Sequence, residues 1–220
     1  MNLDSRAMAP STACVVEQLE SDIIFGRLRP HQELVEDALM ARFGAKRHIV
    51  RAAIQELAAR RIVVKPRSKS ARVKDFTSTE VEEIYYMRAL LQREAARIMP
   101  LPSAPDALNA LKEVHVRYVA AASVGADQDL IHKLNDEFHL RLFALCDNKM
   151  LCKAIAFYTE ASNPIRSYGI TDASWLRRAI AEHTAMIKAI EDQDRGALET
   201  LVVEHMQPSR QRWETMRAGA

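Results

Sequence analysis

Only one stretch of this chain has the pattern of β-strands, and apolar residues recur at helical spacing almost everywhere else. Three apolar stripes, within residues 13–25, 34–43 and 45–57, predict three short helices. Two β-type segments follow, Ile62–Val64 and Ala71–Val73, joined by a short basic loop. Three helices followed by a strand pair predict a winged helix-turn-helix.

Beyond the strand pair, the rest of the chain has helical periodicity. Thr77 or Ser78 can cap the first helix of this part, and Pro164 is expected to kink or interrupt the fourth. The predicted helices lie near residues 78–98, 104–123, 127–146, 148–169, 173–193 and 195–215. The sequence therefore predicts a mainly α protein, with a winged helix-turn-helix over residues 1–76 and an all-α helical bundle over residues 77–220.

The basic residues are concentrated in one part of the chain. Residues 46–74 contain ten Lys or Arg and a single acidic residue, Glu56, although the whole chain carries a net charge of only +2. Residues 1–76 contain 14 basic and 9 acidic residues, a net of +5, whereas residues 77–220 contain 17 and 20, a net of −3. This asymmetry predicts that the first domain binds a polyanion and that the second does not.

The position of these charges favours DNA as the polyanion. An α-helix fits the major groove, and side chains near the N-terminus of a recognition helix reach the base edges. The predicted DNA-binding residues are Lys46, Arg47, His48 and Arg51 at the start of the third helix, and Lys65, Arg67 and Lys69 in the wing. The alternative is that these basic residues form a solvated surface with no nucleic-acid partner. That alternative does not explain why they coincide with a helix-turn-helix pattern.

The cysteines and the absence of long apolar segments indicate the cellular compartment of the protein. Cys14, Cys146 and Cys152 lack the spacing of a zinc or thiol-redox motif and are expected to behave as small buried hydrophobic residues. No run of about 18 apolar residues predicts a membrane span, and the N-terminus lacks the apolar core of a secretory signal. We therefore expect a cytoplasmic protein with no membrane partner.

Histidines of the helical domain form a second candidate site. Asn135 and His139 are four residues apart and share one face of a predicted helix. His183 and His205 lie eleven residues before and after Asp194, where two predicted helices join, so an antiparallel hairpin places both imidazoles at the same height. Imidazoles with an amide oxygen suit a divalent ion such as Zn²⁺, Ni²⁺, Fe²⁺ or Mn²⁺. Ordinary polar or core histidines are the alternative.

Residues 13–74 resemble the winged helix-turn-helix of the GntR family of bacterial transcription regulators. The matching residues are Ile24, Gly26, Leu28, Pro30, Leu34, Glu36, Leu39, Phe43, Gly44, Arg47, Val50, Arg51, Ala53, Ile54 and Leu57. The resemblance implies that Arg47 and Arg51 contact operator DNA. The sequence departs from the family pattern at Asp37, where a DNA-contacting Arg often lies, and at Lys46, where Ser is usual. The wing also lacks its usual glycine.

Residues 78–215 resemble the FCD effector domain of the FadR-type members of that family. The matching residues are Asn135, Phe138, His139, Asn148, Glu182, His183, Met186, Ile187, Ala189, Ile190, Val203, His205 and Met206. Metal-binding members hold the ion with one Asp and three His, which implies a metal site formed by Asn135, His139, His183 and His205. Asn135 stands where the family has Asp, and Asp136 is the alternative oxygen donor.

Together these features predict a homodimeric transcription regulator, expected to be a repressor and not an enzyme, bound to double-stranded operator DNA. The expected effector is a small organic acid whose carboxylate completes the coordination of the metal. The resemblance places Arg88 beside this effector, although a surface salt bridge is the alternative for that side chain. Two other functions stay open: a metal-dependent hydrolase with Asp136 or Glu182 as general base, and a repressor that senses the metal itself.

Overall fold

The computed structural model describes residues 10–166 and 173–218. The chain divides into two compact units, with the boundary after Phe76. The prediction of a mainly α protein is confirmed, because helices make up most of the described chain and the strands form one small sheet. No described helix has both the length and the apolar character needed to cross a bilayer. The N-terminal residues 1–9 and the predicted break at 169–172 lie outside the described residues.

The first unit is a helix-turn-helix with a small antiparallel sheet. Its elements are helix α1 (Thr12–Ile24), strand β1 (Glu33–Leu34), helices α2 (Glu36–Phe43) and α3 (Arg47–Ala59), and strands β2 (Val63–Val64) and β3 (Ala71–Val73). Helix α3 packs against α1 and α2, and Leu19, Ile54 and Leu57 are fully buried in the core that the helices share with the sheet. Because one side of α3 is buried in this core, its basic N-terminal residues lie on the exposed side.

Two strands are predicted, whereas the structure has a third, β1. The sheet order is β1-β3-β2, and both neighbouring pairs are antiparallel. Strand β1 has only two residues, so no alternation of apolar and polar side chains reveals it. The backbone N–H of Val73 donates to Gln32 O, and that of His31 donates to Val73 O. These bonds attach the segment before α2 to the wing and thereby help to fix the position of α2.

The turn between α2 and α3 sets the start of the predicted recognition helix. Gly44 has φ +60°, a left-handed conformation that glycine adopts without strain, and its N–H donates to Met40 O at the end of α2. Lys46 is extended and lies at the N-cap of α3, so Arg47 is the first helical residue. Helix α3 therefore begins two residues after the predicted start, with Lys46 and Arg47 at its N-terminus.

All the regular elements in the described part of the second unit are helices. Its helices are α4 (Ser78–Ile98), α5 (Pro105–Ser123), α6 (Gln128–Ala144), α7 (Lys149–Ala161), α8 (Asn163–Arg166), α9 (Ala173–Glu191), α10 (Arg195–Glu204) and α11 (Gln207–Ala218). The predicted fourth helix is interrupted at Ser162, just before Pro164, which confirms the interruption expected from that proline.

The prediction of one helix over residues 195–215 is wrong, because the structure divides it into α10 and α11 at His205 and Met206. Pro208 explains the division. A proline has no N–H to donate to the carbonyl group four residues earlier, that of Glu204, but it is tolerated in the first turn of a helix, where α11 places it. His205 consequently lies at the end of α10 and not in the middle of a helix.

The core of the second unit is formed mainly by α4, α6, α9 and α10. Helix α4 packs against α7 and α10, and α5 packs against α6 and α9. Phe138 and Met186 are fully buried at the centre of this apolar cluster. Nine polar side chains are buried in the described part of the same unit, and three of them, Arg88, Asn135 and His183, have polar atoms without a hydrogen-bond partner among the described residues. Burying polar groups costs free energy unless they find partners, so these three side chains mark the candidate site.

The start of α4 offers a test of local stability. Thr77 accepts a hydrogen bond from Glu80 N, and the Glu80 carboxylate accepts one from Thr77 N, which together form a capping box. Thr77→Ala is expected to lower the free energy of unfolding by about 1 kcal/mol and the melting temperature by about 2–4 °C. Thermal unfolding followed by circular dichroism measures the effect. Ser78→Ala, one position further on, is the matched control, and an equal loss in both variants would contradict the capping role.

Candidate functional site

The predicted DNA-binding residues all lie on the exposed surface of the first unit. Lys46, Arg47, His48 and Arg51 are exposed around the first turn of α3, and Lys65, Arg67 and Lys69 are exposed between β2 and β3. The wing turns at Ser68, which has φ +60°, a left-handed conformation that glycine adopts more readily than serine does. The structure thus presents the start of α3 and the tip of the wing to solvent within one compact unit.

Two acidic side chains that the DNA-binding prediction does not include contact the basic residues of α3. Asp37 Oδ1 lies 2.6 Å from Arg47 Nη2. Glu36 Oε2 lies 2.8 Å from Arg51 Nε and 3.6 Å from Arg47 Nη1, while its Oε1 lies 3.5 Å from Lys65 Nζ. The hydrogen bond from Arg51 holds the pKa of Glu36 below its usual value. Both acids belong to the first turn of α2, a position where helices favour negative charge. The sequence marks Asp37 as a departure from the family pattern, but it does not show that either acid contacts α3.

Three histidines of the second unit converge on one point. His139 comes from α6, His183 from α9, and His205 follows α10. One ring nitrogen from each lies within 4.8 Å of the others, and the Nε2 atoms of His139 and His205 are 3.1 Å apart. Two nitrogen ligands of a tetrahedral zinc ion would be about 3.3 Å apart. The predicted convergence of His183 and His205 is observed, with their ring centroids 4.9 Å apart.

His183 is the most constrained member of this histidine cluster. Its side chain is fully buried and stacked on Phe138, with ring centroids 3.9 Å apart. Neither ring nitrogen has a hydrogen-bond partner among the described residues. Burial lowers the pKa values of His139 and His183 well below the usual value, so both rings are neutral near pH 7 and offer lone pairs. Burying an imidazole without hydrogen-bond partners costs free energy, and a bound metal ion would supply a partner for one of its nitrogens.

Glu182 holds the ring of His205 through a hydrogen bond. The sequence interpretation considered this residue only as a possible general base. Its Oε2 accepts a hydrogen bond from His205 Nδ1 at 2.6 Å, and its Oε1 accepts one from Arg178. A carboxylate only accepts, so Nδ1 carries the proton and, in the neutral ring, Nε2 presents its lone pair towards His139. Metal-bound imidazoles are commonly oriented by a carboxylate in this way. The adjacency of Glu182 to His183 is not by itself enough to predict this contact.

The two candidate oxygen donors differ in their surroundings. Asn135 is buried, and no described residue forms a hydrogen bond with its Oδ1. Asp136 instead forms ion pairs with Arg166 and, at 3.5 Å, with His132. Burial alone would raise the pKa of Asp136, but Arg166 and His132 outweigh it and hold the pKa below its usual value. Because Asp136 is already engaged by the Arg166 cation, Asn135 is the better candidate for an oxygen donor to the histidine cluster.

Arg88 is buried, which contradicts the alternative of a surface salt bridge. In the part of the chain that the structure describes, its Nε and Nη1 atoms have no hydrogen-bond partner. Burial lowers the pKa of Arg88 to about 10, so it stays cationic at neutral pH. Arg88 lines a small cavity together with Asn135, His139, Arg166, His205 and Ser209. This cavity joins two buried guanidinium groups to the histidine cluster. The guanidinium of Arg88 also lies over the Tyr85 ring, 5.1 Å from its centroid. A buried cation with N–H groups still unpartnered favours an anion beside it.

An apolar cleft lies on another side of His139, between α6 and α7. Leu140, Phe143, Cys152 and Ile155 line most of it. The Sγ atoms of Cys146 and Cys152 are 3.9 Å apart, and burial raises the pKa of the Cys152 thiol to about 11. The Cys152 thiol therefore stays protonated near pH 7. Cys146 is buried as expected and Cys152 is half-buried, whereas Cys14 is exposed, so the expectation of a buried residue is wrong for Cys14.

Comparison with known proteins identifies the family. Residues 12–73 match the bacterial regulatory proteins of the gntR family, and residues 83–208, more than half of the chain, match the FCD domain. The chain belongs to the GntR family and carries an FCD domain. It is a DNA-binding transcription regulator with an effector-binding domain, as the sequence predicts.

The relatives of this GntR regulator are also transcription regulators, which are generally not enzymes. The Nta operon transcriptional regulator of Aminobacter aminovorans is 22% identical over 179 residues, which cover 81% of this chain and 83% of the relative. The HTH-type regulator YdhC of Bacillus subtilis, itself uncharacterized, is 21% identical over 188 residues, which cover 86% and 84%. These relatives extend over both units of the chain.

Solved structures support the fold of this GntR regulator. The McbR/YncC structure from E. coli has a TM-score of 0.74 at 20% identity and covers 96% of this chain and all of its own. A putative GntR regulator from Rhodococcus sp. RHA1 has a TM-score of 0.74 at 17% identity, with coverage of 93% and 97%. At such identities the likeness extends to the fold, while the role of each side chain must be argued from this chain.

Proposed function

We propose that this GntR regulator is a repressor whose FCD unit binds a divalent metal ion and, through it, a small organic acid. The observation that carries the proposal is the buried convergence of His139, His183 and His205, with both nitrogens of His183 unpartnered. Three imidazoles with a nearby amide oxygen fit Zn²⁺, Ni²⁺, Fe²⁺ or Mn²⁺. When bound, such an ion would supply a Lewis-acidic centre for an anionic oxygen.

Several features of the site support an acid as the effector. Asn135 is neutral, and Asp136 is already paired with Arg166. The protein atoms nearest to the ion therefore leave most of its charge uncompensated. Arg88 contributes a further buried positive charge on the same cavity, with two N–H groups available. A carboxylate bound between the ion and Arg88 would compensate both charges, and the cavity walls would select among acids.

Regulation requires that the acid favour one arrangement of the two DNA-binding units in the proposed homodimer. A ligand that binds both arrangements equally well does not shift the equilibrium between them and so does not change operator affinity. Two winged helices related by a two-fold axis would bind a near-palindromic operator, at half-sites about one helical turn apart. We infer that the short segment connecting β3 to α4 transmits the change.

The test measures operator affinity as a function of metal and acid. Full-length protein is stripped with a chelator, reloaded with Zn²⁺, Ni²⁺, Fe²⁺ or Mn²⁺, and titrated with labelled DNA from upstream of its own gene, with and without mono- and dicarboxylates. We expect a change in affinity that requires the metal and an acid together. A change caused by the ion alone would identify a metal-sensing repressor. Identical affinity under all conditions would contradict the proposal.

The role of Arg88 can be tested separately from the metal. Arg88→Gln is expected to raise the acid concentration needed for the DNA response about tenfold, because a charge-assisted pair contributes about 1.5–3 kcal/mol. Metal content is expected to remain unchanged. Arg93→Gln, an exposed substitution on the same helix, is the matched control. An unaltered acid response in Arg88→Gln protein would remove Arg88 from the effector site.

A further inference from the structure

Acidic side chains lie on the surface that must approach DNA. Asp37 is 74% exposed, and its only ion-pair partner in the described part of the chain is Arg47. Glu36 is only 20% exposed and contacts three cations, Arg47, Arg51 and Lys65. The two acids therefore differ in character: Glu36 is enclosed by the basic residues and positions them, whereas the carboxylate of Asp37 faces solvent beside Arg47.

The pair between Asp37 and Arg47 has little value for the stability of the protein. Both side chains are half exposed or more, and exposed ion pairs contribute little because water and salt screen them. Its charge nevertheless acts on any polyanion that approaches α3. A phosphate beside Arg47 is repelled by Asp37, and Arg47 must leave Asp37 before it can contact the phosphate.

We propose that Asp37 is a specificity-determining residue that weakens the binding of non-specific DNA. Random DNA offers Arg47 mainly phosphate contacts, which do not depend on sequence and are opposed by the neighbouring carboxylate. An operator can offer Arg47 the edge of a guanine, with two hydrogen bonds, and this gain offsets the separation from Asp37. Discrimination then comes from a repulsive group as well as from an attractive one.

The proposal predicts that Asp37→Asn protein binds DNA more tightly but distinguishes the operator from random DNA less well. We expect it to bind a short random-sequence duplex about fivefold more tightly than the wild type does, through the loss of one repulsive surface charge. Affinity for a duplex selected by the wild-type protein from a random pool is expected to rise less, so the ratio of the two affinities falls. If a phosphate contact is gained, the slope of log affinity against log salt steepens by about 0.9 on random DNA.

The measurement uses fluorescence anisotropy with full-length protein at about 50 and about 200 mM salt. Glu56→Gln is the matched control, because it also removes one negative charge but at a site remote from the N-terminus of α3, where Glu56 pairs with Arg60. Its DNA affinities are expected to equal those of the wild type. Asp37→Glu retains the charge and is expected to restore the wild-type ratio. Circular dichroism establishes that each variant is folded.

Two results would overturn the proposal. Asp37→Asn protein could bind random DNA no more tightly than Glu56→Gln protein, which would show that the carboxylate does not repel phosphate. Alternatively, it could lose affinity for the selected duplex with no change on random DNA, which would make Asp37 a direct contact to a base such as cytosine. Failure of the wild-type protein to select any duplex is a different outcome, since it would contradict the regulatory function itself.

Discussion

His183→Ala protein is expected to lose its metal ion. The substitution removes one of three converging imidazoles, and the remaining pair, His139 and His205, cannot hold a divalent ion as tightly. We expect metal affinity to fall by about a hundredfold or more, since even changes in groups that only orient a ligand cost about 10–100-fold. Wild-type protein with metal at about a thousand times its Kd should gain about 4 kcal/mol of stability, and the variant should gain much less.

Metal content after dialysis, measured by elemental analysis, and the thermal shift on adding Zn²⁺ or Ni²⁺ test this prediction. His115→Ala is the matched control, because His115 lies beside His183, with ring centroids 5.9 Å apart, but is not a member of the histidine cluster. His205→Ala is a second variant, which leaves the packing around Phe138 intact. Retention of stoichiometric metal by both His183→Ala and His205→Ala protein would exclude the proposed site.

Arg51→Ala protein is expected to bind its operator about 10–100-fold more weakly than the wild type, which corresponds to about 1–3 kcal/mol. Arg51 is 57% exposed near the start of α3, and its ion-pair partner is Glu36. Removing an exposed side chain changes the free energy of unfolding by only about 0.5 kcal/mol, so the loss would arise at the DNA. The substitution also removes one of the cations that neutralise the Glu36 carboxylate, on the surface that approaches the DNA phosphates.

Titration of an operator duplex at two salt concentrations separates the two possible contacts of Arg51. A base contact predicts a large loss on the operator and a small one on random DNA, whereas a phosphate contact predicts similar losses and a shallower salt slope. Arg29→Ala, an exposed arginine outside α3 and the wing, is the control for net charge. Equal losses in Arg29→Ala and Arg51→Ala protein would show that charge alone, and not the position of Arg51, matters.

The sequence alone determined the elements whose signals are local. Apolar periodicity gave the bounds of α4 and the order of the first three helices, and a proline marked the interruption before α8. The equal spacing of His183 and His205 about Asp194 predicted their meeting, because the rise per residue of a helix is fixed. The concentration of charge in residues 46–74 likewise needed no coordinates, since composition is a property of the chain itself.

Tertiary structure alone decided which side chains meet across elements. Strand β1 exists because β3 pairs with it, and two residues carry no periodic signal of their own. The carboxylate of Asp136 is engaged by Arg166 from another helix, so it is Asn135, its neighbour in sequence, that keeps an unpartnered oxygen in the cavity. Arg88 proved to be buried, since the exposure of a helical residue depends on what packs over it. Such contacts depend on distances between residues remote in sequence, which local propensity does not encode.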